Sequence, residues 1–165
     1  MSSQREAFRP VGSPLSTDVA NDLAPHFAHP TLERIRVVEV ERIENPTFYA
    51  ALAARGVSLP IDFTGTTGIT FVDTILVARS RSGSASDASL LFHEAVHVVQ
   101  YDLLGLDGFL TRYVRGWADN GREYRRIPLE RQAYDLQTRF ESNARGDFQV
   151  ERELRVRLME SRRTT

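Results

Sequence analysis

The chain has 165 residues with a formal net charge of −1 at pH 7, and 41% of its residues are hydrophobic and 26% charged, as in an ordinary globular domain. It contains neither cysteine nor lysine, which excludes a disulfide framework, a thiol nucleophile, cysteine-ligated metal and Schiff-base chemistry. The near-zero net charge provides no basic field that would attract nucleic acid or anionic lipid.

No stretch of the sequence reaches the roughly 18–20 consecutive apolar residues that a membrane span requires. Its first residues also lack the apolar core of a secretory signal. We therefore expect neither a membrane partner nor a nucleic-acid partner. We also expect a cytoplasmic protein, or one exported without a classical signal peptide; the sequence leaves the oligomeric state open.

The first residues predict a flexible segment followed by a short helix. Residues 1–15 are polar and contain prolines, so we expect a flexible N-terminal segment, with a single domain over residues 16–165. Ser16 or Thr17 is placed to cap a short helix, which Pro30 should close. Its apolar positions are Val19, Leu23 and Phe27.

Two segments predict strands. Residues 35–43 alternate in hydrophobicity, and residues 66–78 are rich in β-branched side chains. The second segment predicts a strand pair broken near Asp73, or one long bent strand. Between the two segments, residues 46–56 begin with proline and end with glycine, which indicates a second short helix. The strands should form a small, mainly antiparallel sheet.

Helix signals dominate the second half of the sequence. Ser86 or Asp87 is placed to cap a long helix, and Gly105 should stop it. The predicted helices cover residues 88–104, 107–118, 128–144 and 148–161. The fold class is therefore α+β, with a small sheet followed by a helical half.

The first of these long helices contains an HExxH motif, His93-Glu94-Ala95-Val96-His97. Two histidines four residues apart lie one helical turn apart, so both imidazoles can converge on one metal ion. Glu94 can flank that ion without ligating it. The alternative is a pair of buried histidines satisfied by backbone carbonyls. The apolar surroundings favour the metal, since burying two imidazoles and a carboxylate requires a charged partner.

A third protein ligand is needed. The HExxHxxGxxH arrangement is excluded because Gln100 and Leu103 occupy its glycine and third-histidine positions. The other two histidines, His26 and His29, are interpreted as surface residues or helix-end caps. Glu130 is the better candidate, since it lies on the apolar stripe of a later helix; the alternative is an Arg–Glu ion pair.

The segment LLFHEAVHVVQYDLLG, then Phe109, Tyr113 and Tyr124, and finally Pro128-Leu129-Glu130 with Ala133-Tyr134, resembles the gluzincin group of zinc metallopeptidases in its smallest form. It is also similar to small bacterial HExxH domains, including those of contractile-injection-system effectors. The resemblance implies a zincin-like fold in which a short strand pair precedes the active helix.

The same resemblance implies Zn²⁺ held by His93, His97 and Glu130, with Glu94 as general base. In larger gluzincins an aspartate four residues after the ligand glutamate supports the first histidine, whereas this chain has Tyr134 there. The support of that histidine must therefore differ.

These features predict a zinc-dependent hydrolase, most simply a metallopeptidase that cleaves peptide or protein substrates with a zinc-bound water activated by Glu94. Tyr124 is the predicted oxyanion donor, with Tyr134 and Tyr113 as alternatives. A strand within residues 69–77 could bind an extended peptide by β-augmentation.

Two other hypotheses remain open. One is a non-catalytic zinc-binding structural or interaction module of a bacterial assembly. The other is a latent protease whose cleft is covered by residues 1–30.

Overall fold

The computed structural model describes residues 2–45, 54, 62–79, 87–142 and 148–160. Within them the chain is α+β, as the sequence predicted. The helices are α1 (Ser2–Phe8), α2 (Thr17–Leu23), α3 (His29–Arg34), α4 (Ala88–Asp119), α5 (Pro128–Ser142) and α6 (Val150–Glu160). The strands are β1 (Arg36–Val40), β2 (Gly68–Phe71) and β3 (Thr74–Ala78). Apart from residue 54, the helix predicted over residues 46–56 lies outside the described residues.

The three strands form one sheet in the order β1-β3-β2. Strands β2 and β3 form an antiparallel hairpin that turns at Val72-Asp73, which confirms a strand pair over a single bent strand. Strand β1 joins the other side of β3 in parallel. The sheet is therefore mixed, where the sequence suggested mainly antiparallel pairing.

The two faces of the sheet serve different purposes, because side chains alternate along each strand. One face packs against the first turns of α4 in the main core and presents Val37, Ile75 and Val77. The opposite face presents Phe71, Leu76 and Ala78 to Phe8 of α1 and to Ile43. The α4 face of β2 is formed by Gly68 and Thr70, which pair with Val77 and Ile75.

Helix α4 carries the HExxH motif and bends at a glycine. Asp87 caps its start by accepting a hydrogen bond from the backbone N–H of Leu90 at 3.0 Å. At Gly105 the backbone leaves the helical region, with φ of 70° and ψ of 168°. This break lies at the predicted helix stop and divides α4 into a first arm, residues 88–104, and a second arm, residues 106–119.

The second arm of α4 and helix α5 approach closely at Gly116. A methyl group at Gly116 would lie 2.6 Å from Cδ of Pro128, the first residue of α5. The absence of a side chain here therefore sets the position of the start of α5. Helix α6 completes the main core with Val150 and Leu154.

The N-terminal residues differ from the predicted flexible segment. Residues 2–8 form α1, and residues 9–11 form a 3-10 turn. The side chain of Arg5 makes two hydrogen bonds to the Asp73 carboxylate, at 2.7 and 2.8 Å, and Arg9 lies 3.0 Å from it. These ion pairs explain the difference, because they attach the segment to a turn far away in the sequence.

The short helix after residue 15 forms as predicted, but the chain that follows it differs from the prediction. Ser16 caps α2 through a hydrogen bond from the backbone of Val19, and the helix ends at Leu23. Pro30 does not close this helix; it lies in the first turn of α3, a helix that the sequence did not reveal.

No helix of the described residues is both long enough and apolar enough to cross a membrane.

The interpretation of His26 as a surface residue is wrong. Its side chain is fully buried, with ring contacts at 4.5–5.7 Å to Phe92, Phe140 and Phe148. Those partners come from three distant segments, so no local pattern marks the position as interior. His29 is exposed at the start of α3, as expected, and lies 3.4 Å from Glu33.

Candidate metal centre

Three side chains from two helices meet in one buried cluster. Nε2 of His93 lies 3.2 Å from Nε2 of His97 and 3.3 Å from Oε2 of Glu130. Nε2 of His97 lies 3.5 Å from Oε1 of the same carboxylate. The two histidines thus face different oxygens of Glu130, and each separation is close to the edge, about 3.3–3.4 Å, of a tetrahedron around a metal with bonds of about 2.0–2.1 Å. The ligand atoms of the three residues all lie within 4.8 Å of one another, so within the described residues this cluster could hold a metal ion.

Two glutamines determine which nitrogen of each imidazole faces the cluster. Nδ1 of His97 lies 2.8 Å from Oε1 of Gln100, whose amide nitrogen donates to the carbonyl of Leu129 at 3.0 Å. A carbonyl can only accept, so the amide oxygen of Gln100 must be the atom that faces the ring. Nδ1 of His97 therefore carries a proton and donates it to Gln100.

His93 is held in the same way from helix α5. Its Nδ1 lies 3.0 Å from Oε1 of Gln137, whose amide nitrogen donates to Glu141 at 3.2 Å and to Ser89 at 2.8 Å. Both imidazoles thus use Nδ1–H as a donor, and the Nε2 atoms are directed at the shared space. This is the arrangement by which partners of the ligands orient metal-binding histidines.

Glu130 supplies the negative charge of the cluster and is only 2% exposed. Its Oε1 accepts a hydrogen bond from the hydroxyl of Tyr113 at 2.6 Å. Its Oε2 is buried and has no hydrogen-bond partner within the described residues. A buried carboxylate oxygen without a partner is costly, and a cation beside both imidazoles would satisfy it. The partners of Glu130 are histidine and tyrosine, so the alternative of an Arg–Glu pair is not what the structure contains.

The electrostatics of the cluster favour positive charge. Burial alone lowers the pKa of His97, but the nearby Glu130 carboxylate outweighs this and raises it to about 9. Burial raises the pKa of Glu130, but the charges of His97 and His93 hold it well below its usual range. The attraction that holds a proton on His97 would also act on a divalent cation, which carries twice the charge.

Glu94 is held against strand β2, beside the cluster. The hydroxyl of Thr70 donates to Oε2 of Glu94 at 2.7 Å. A methyl group at Gly68 would lie 2.5 Å from Oε1 of the same carboxylate, so only a glycine leaves room for it. The charge of Glu94 also contributes to the raised pKa of His97. Strand β2 therefore orients the carboxylate of the predicted general base.

All three candidate tyrosines lie around the cluster. The hydroxyl of Tyr113 is bonded to Glu130, and the ring of Tyr134 lies 4.5 Å from that of His93. Burial, followed by the charges of Glu130 and Glu94, raises the pKa of Tyr124, and a hydrogen bond with Glu130 acts in the same direction. Tyr124 thus lies close to the groups with which the sequence associated it.

Sequence reasoning missed four residues of this site: Gln100, Gln137, Thr70 and Gly68. Gln137 follows Glu130 by seven positions, and this spacing places both on one face of α5. The glycine within a β-branched strand was also a signal, since an interior strand glycine often marks a close approach of another group.

No protein-family model, curated protein or solved structure matches this chain.

Proposed function

We propose that this chain is a zinc-dependent hydrolase, most simply a metallopeptidase, with Zn²⁺ held by His93, His97 and Glu130. The observation that carries the proposal is the set of three donor–donor distances of 3.2–3.5 Å, with the Nδ1 side of each imidazole already occupied. A bound zinc ion would polarise a carbonyl and lower the pKa of water towards 7.

Glu94 and Tyr124 supply the remaining steps of the chemistry. Glu94, oriented by Thr70, accepts a proton from the attacking water and transfers it to the leaving amine. Tyr124 donates a hydrogen bond to the oxyanion. Tyr113, whose hydroxyl donates to Glu130, and Tyr134 are the alternative donors.

Strand β2 is suited to align the substrate. It is the last strand of the sheet order, so within the described residues its outer edge has no strand partner. An extended peptide could add to that edge by main-chain hydrogen bonds. It would then pass beside Glu94, because Gly68 and Thr70 of the same strand contact that carboxylate.

The test compares zinc content and peptide cleavage in wild type, Glu130→Ala and Glu94→Gln. Elemental mass spectrometry should find one zinc per wild-type chain and per Glu94→Gln chain, and much less in Glu130→Ala. A mixed peptide library should be cleaved by the wild type alone. Cleavage by Glu94→Gln would refute the role of Glu94, and a wild type without zinc would refute the site.

One observation favours a second candidate, a zinc-binding structural or interaction module without turnover. His93, Glu94, His97 and Glu130 are each no more than 5% exposed, and structural zinc sites are closed whereas catalytic sites keep an open position. Acetohydroxamate added to the cobalt-substituted protein separates the two. An open position would bind it and change the visible absorption bands, whereas a closed site would leave them unchanged.

A further inference from the structure

Arg125 lies at the outer edge of the metal cluster. It follows Tyr124 in a 3-10 turn that leads into α5. Its guanidinium carbon lies 4.9 Å from the ring centroid of Tyr134, and that ring lies 4.5 Å from the ring of His93. A cation–π contact thus holds the positive charge of Arg125 against Tyr134, and the ring of Tyr134 in turn contacts His93, a candidate zinc ligand.

No carboxylate of the described residues neutralises the charge of Arg125. Its side chain is exposed, and it forms no ion pair within the described residues. The neighbouring Arg126 is different, because its guanidinium pairs with Glu123 at 2.8 Å. The two carboxylates of the site accept hydrogen bonds from other side chains, Glu94 from Thr70 and Glu130 from Tyr113. Arg125 is therefore a positioned cation that remains available to a ligand.

We propose that Arg125 selects peptides that carry a carboxylate side chain close to the bond to be cleaved. This inference rests on the proposed peptidase function and names the substrate class of the same site. The two contacts that join Arg125 to the His93 ring are 4.9 and 4.5 Å long, and an extended peptide advances about 3.3 Å per residue, so the guanidinium lies within about three residues of a peptide group at that ring. Arginine suits this task because its planar donors bind a carboxylate with two parallel hydrogen bonds.

A purely structural role for Arg125 makes a different prediction. If the guanidinium served only to cover the ring of Tyr134, its removal would affect acidic and neutral peptides equally. A role in recognition changes their ratio and weakens with added salt, since an exposed ion pair is screened. The ratio of the two activities therefore distinguishes recognition from a structural role.

The first experiment uses two fluorogenic peptides that differ only by Glu against Gln beside the scissile bond, a position chosen by a scan along the peptide. In the zinc-loaded wild type we expect a higher kcat/KM for the Glu peptide. Arg125→Ala should reduce the Glu:Gln ratio about fivefold, as expected for an exposed ion pair, and Arg125→Glu should invert it. The matched control is Arg126→Ala, which should leave the ratio as in wild type. An unchanged ratio in Arg125→Ala would refute the proposal.

The second experiment does not depend on turnover. Zinc-loaded Glu94→Gln protein, with and without Arg125→Ala, is titrated with the same two peptides by calorimetry. We expect tighter binding of the Glu peptide, and loss of this preference without Arg125 or in high salt. Equal binding of both peptides, or binding of neither, would contradict the role of Arg125. If this preference is found but the wild type cleaves no peptide, the proposed hydrolysis fails while the role of Arg125 in recognition stands.

Discussion

The chemistry of the cluster depends on which nitrogen of each imidazole carries the proton, and this is decided by the amides of Gln100 and Gln137. Removal of the amide at Gln137 should leave Nδ1 of His93 without its 3.0 Å acceptor and free the ring to turn. We predict that Gln137→Leu weakens zinc binding about 10- to 100-fold, as measured by competition with a chelator. Gln137→Glu keeps an acceptor and should retain most of the affinity.

The matched control for that measurement is Thr138→Ala, an exposed neighbour on the same helix. It should bind zinc as the wild type does. Wild-type affinity in Gln137→Leu would mean that packing alone orients His93. Gln137 would then have no influence on the affinity of the site.

Gly68 gives a second prediction, this one on catalysis without an effect on metal binding. A methyl group 2.5 Å from Oε1 of Glu94 must displace that carboxylate. A displacement of about 1 Å costs on the order of 100-fold in rate. Gly68→Ala should therefore retain zinc and lose about that factor in kcat. Gly65→Ala is the control, because a methyl group there meets nothing within 4 Å; equal activity of the two variants would contradict the argument.

Among the individual residues of the site, the sequence predicted those that define the motif and missed those that orient them. The spacing of His93 and His97 follows from helix geometry, and Glu130 stood out as a carboxylate on an apolar stripe. The supports, such as Thr70, act through hydrogen bonds between elements distant in the sequence. Such contacts depend on strand and helix register, which local periodicity does not determine.

Among the elements, the pairing of α4 with α5 is decisive because it brings Glu130 to the histidines. The contact at Gly116 has no room for a side chain, since a methyl group would lie 2.6 Å from Pro128. We predict that Gly116→Ala lowers the free energy of unfolding by about 1–3 kcal/mol, a typical cost of overpacking. It should also weaken zinc binding, because the start of α5 must move.

Gly108→Ala is the matched control on the same helix. A methyl group there meets only Cβ of Leu104, at an ordinary 3.5 Å, and alanine is the better helix former. Urea unfolding should therefore show unchanged or increased stability. If Gly116→Ala behaved in the same way, the close approach of the two helices would not limit the position of α5.

The elements themselves were largely predictable, because capping residues and glycines mark their ends. The helix stop at Gly105 and the hairpin broken near Asp73 both follow from local chemistry. Helix α1 was not predicted, since its stability depends on ion pairs between Arg5 and a carboxylate 68 positions away. The parallel pairing of β1 with β3 was not predicted either, because it joins strands that are distant in the sequence.

In the whole molecule, the N-terminal helix and the candidate site are linked through one turn. The β2–β3 turn contains Val72 with φ of 64°, a left-handed conformation that costs a β-branched residue about 1–2 kcal/mol. The side chain of Val72 packs against the cluster of Tyr101 and Phe109, and Asp73 is held by the arginines of the N-terminal segment. These contacts offset the strain and hold the strand that orients Glu94.

The last prediction concerns this link and its dependence on pH. Burial raises the pKa of Asp73. The hydrogen bond from Arg5 and the charges of Arg5 and Arg9 lower it by a larger amount, so the pKa in the folded state lies below the usual value. A depressed pKa stabilises the fold above the unfolded-state pKa, and the stabilisation is lost as pH falls through the folded-state pKa. Asp73→Asn should therefore lower the free energy of unfolding at pH 7 by about 1–2 kcal/mol, and the difference from wild type should shrink with falling pH.

Asp102→Asn is the matched control, because Asp102 pairs with Arg34 at an exposed position and such pairs contribute about 0–1 kcal/mol. Urea unfolding at a series of pH values measures both variants. A constant difference between wild type and Asp73→Asn across the acid range would show that the carboxylate charge is not what attaches the N-terminal segment. In that case α1 would be held by the packing of Phe8 on the sheet, and Phe8→Ala should then destabilise the protein more than Asp73→Asn does.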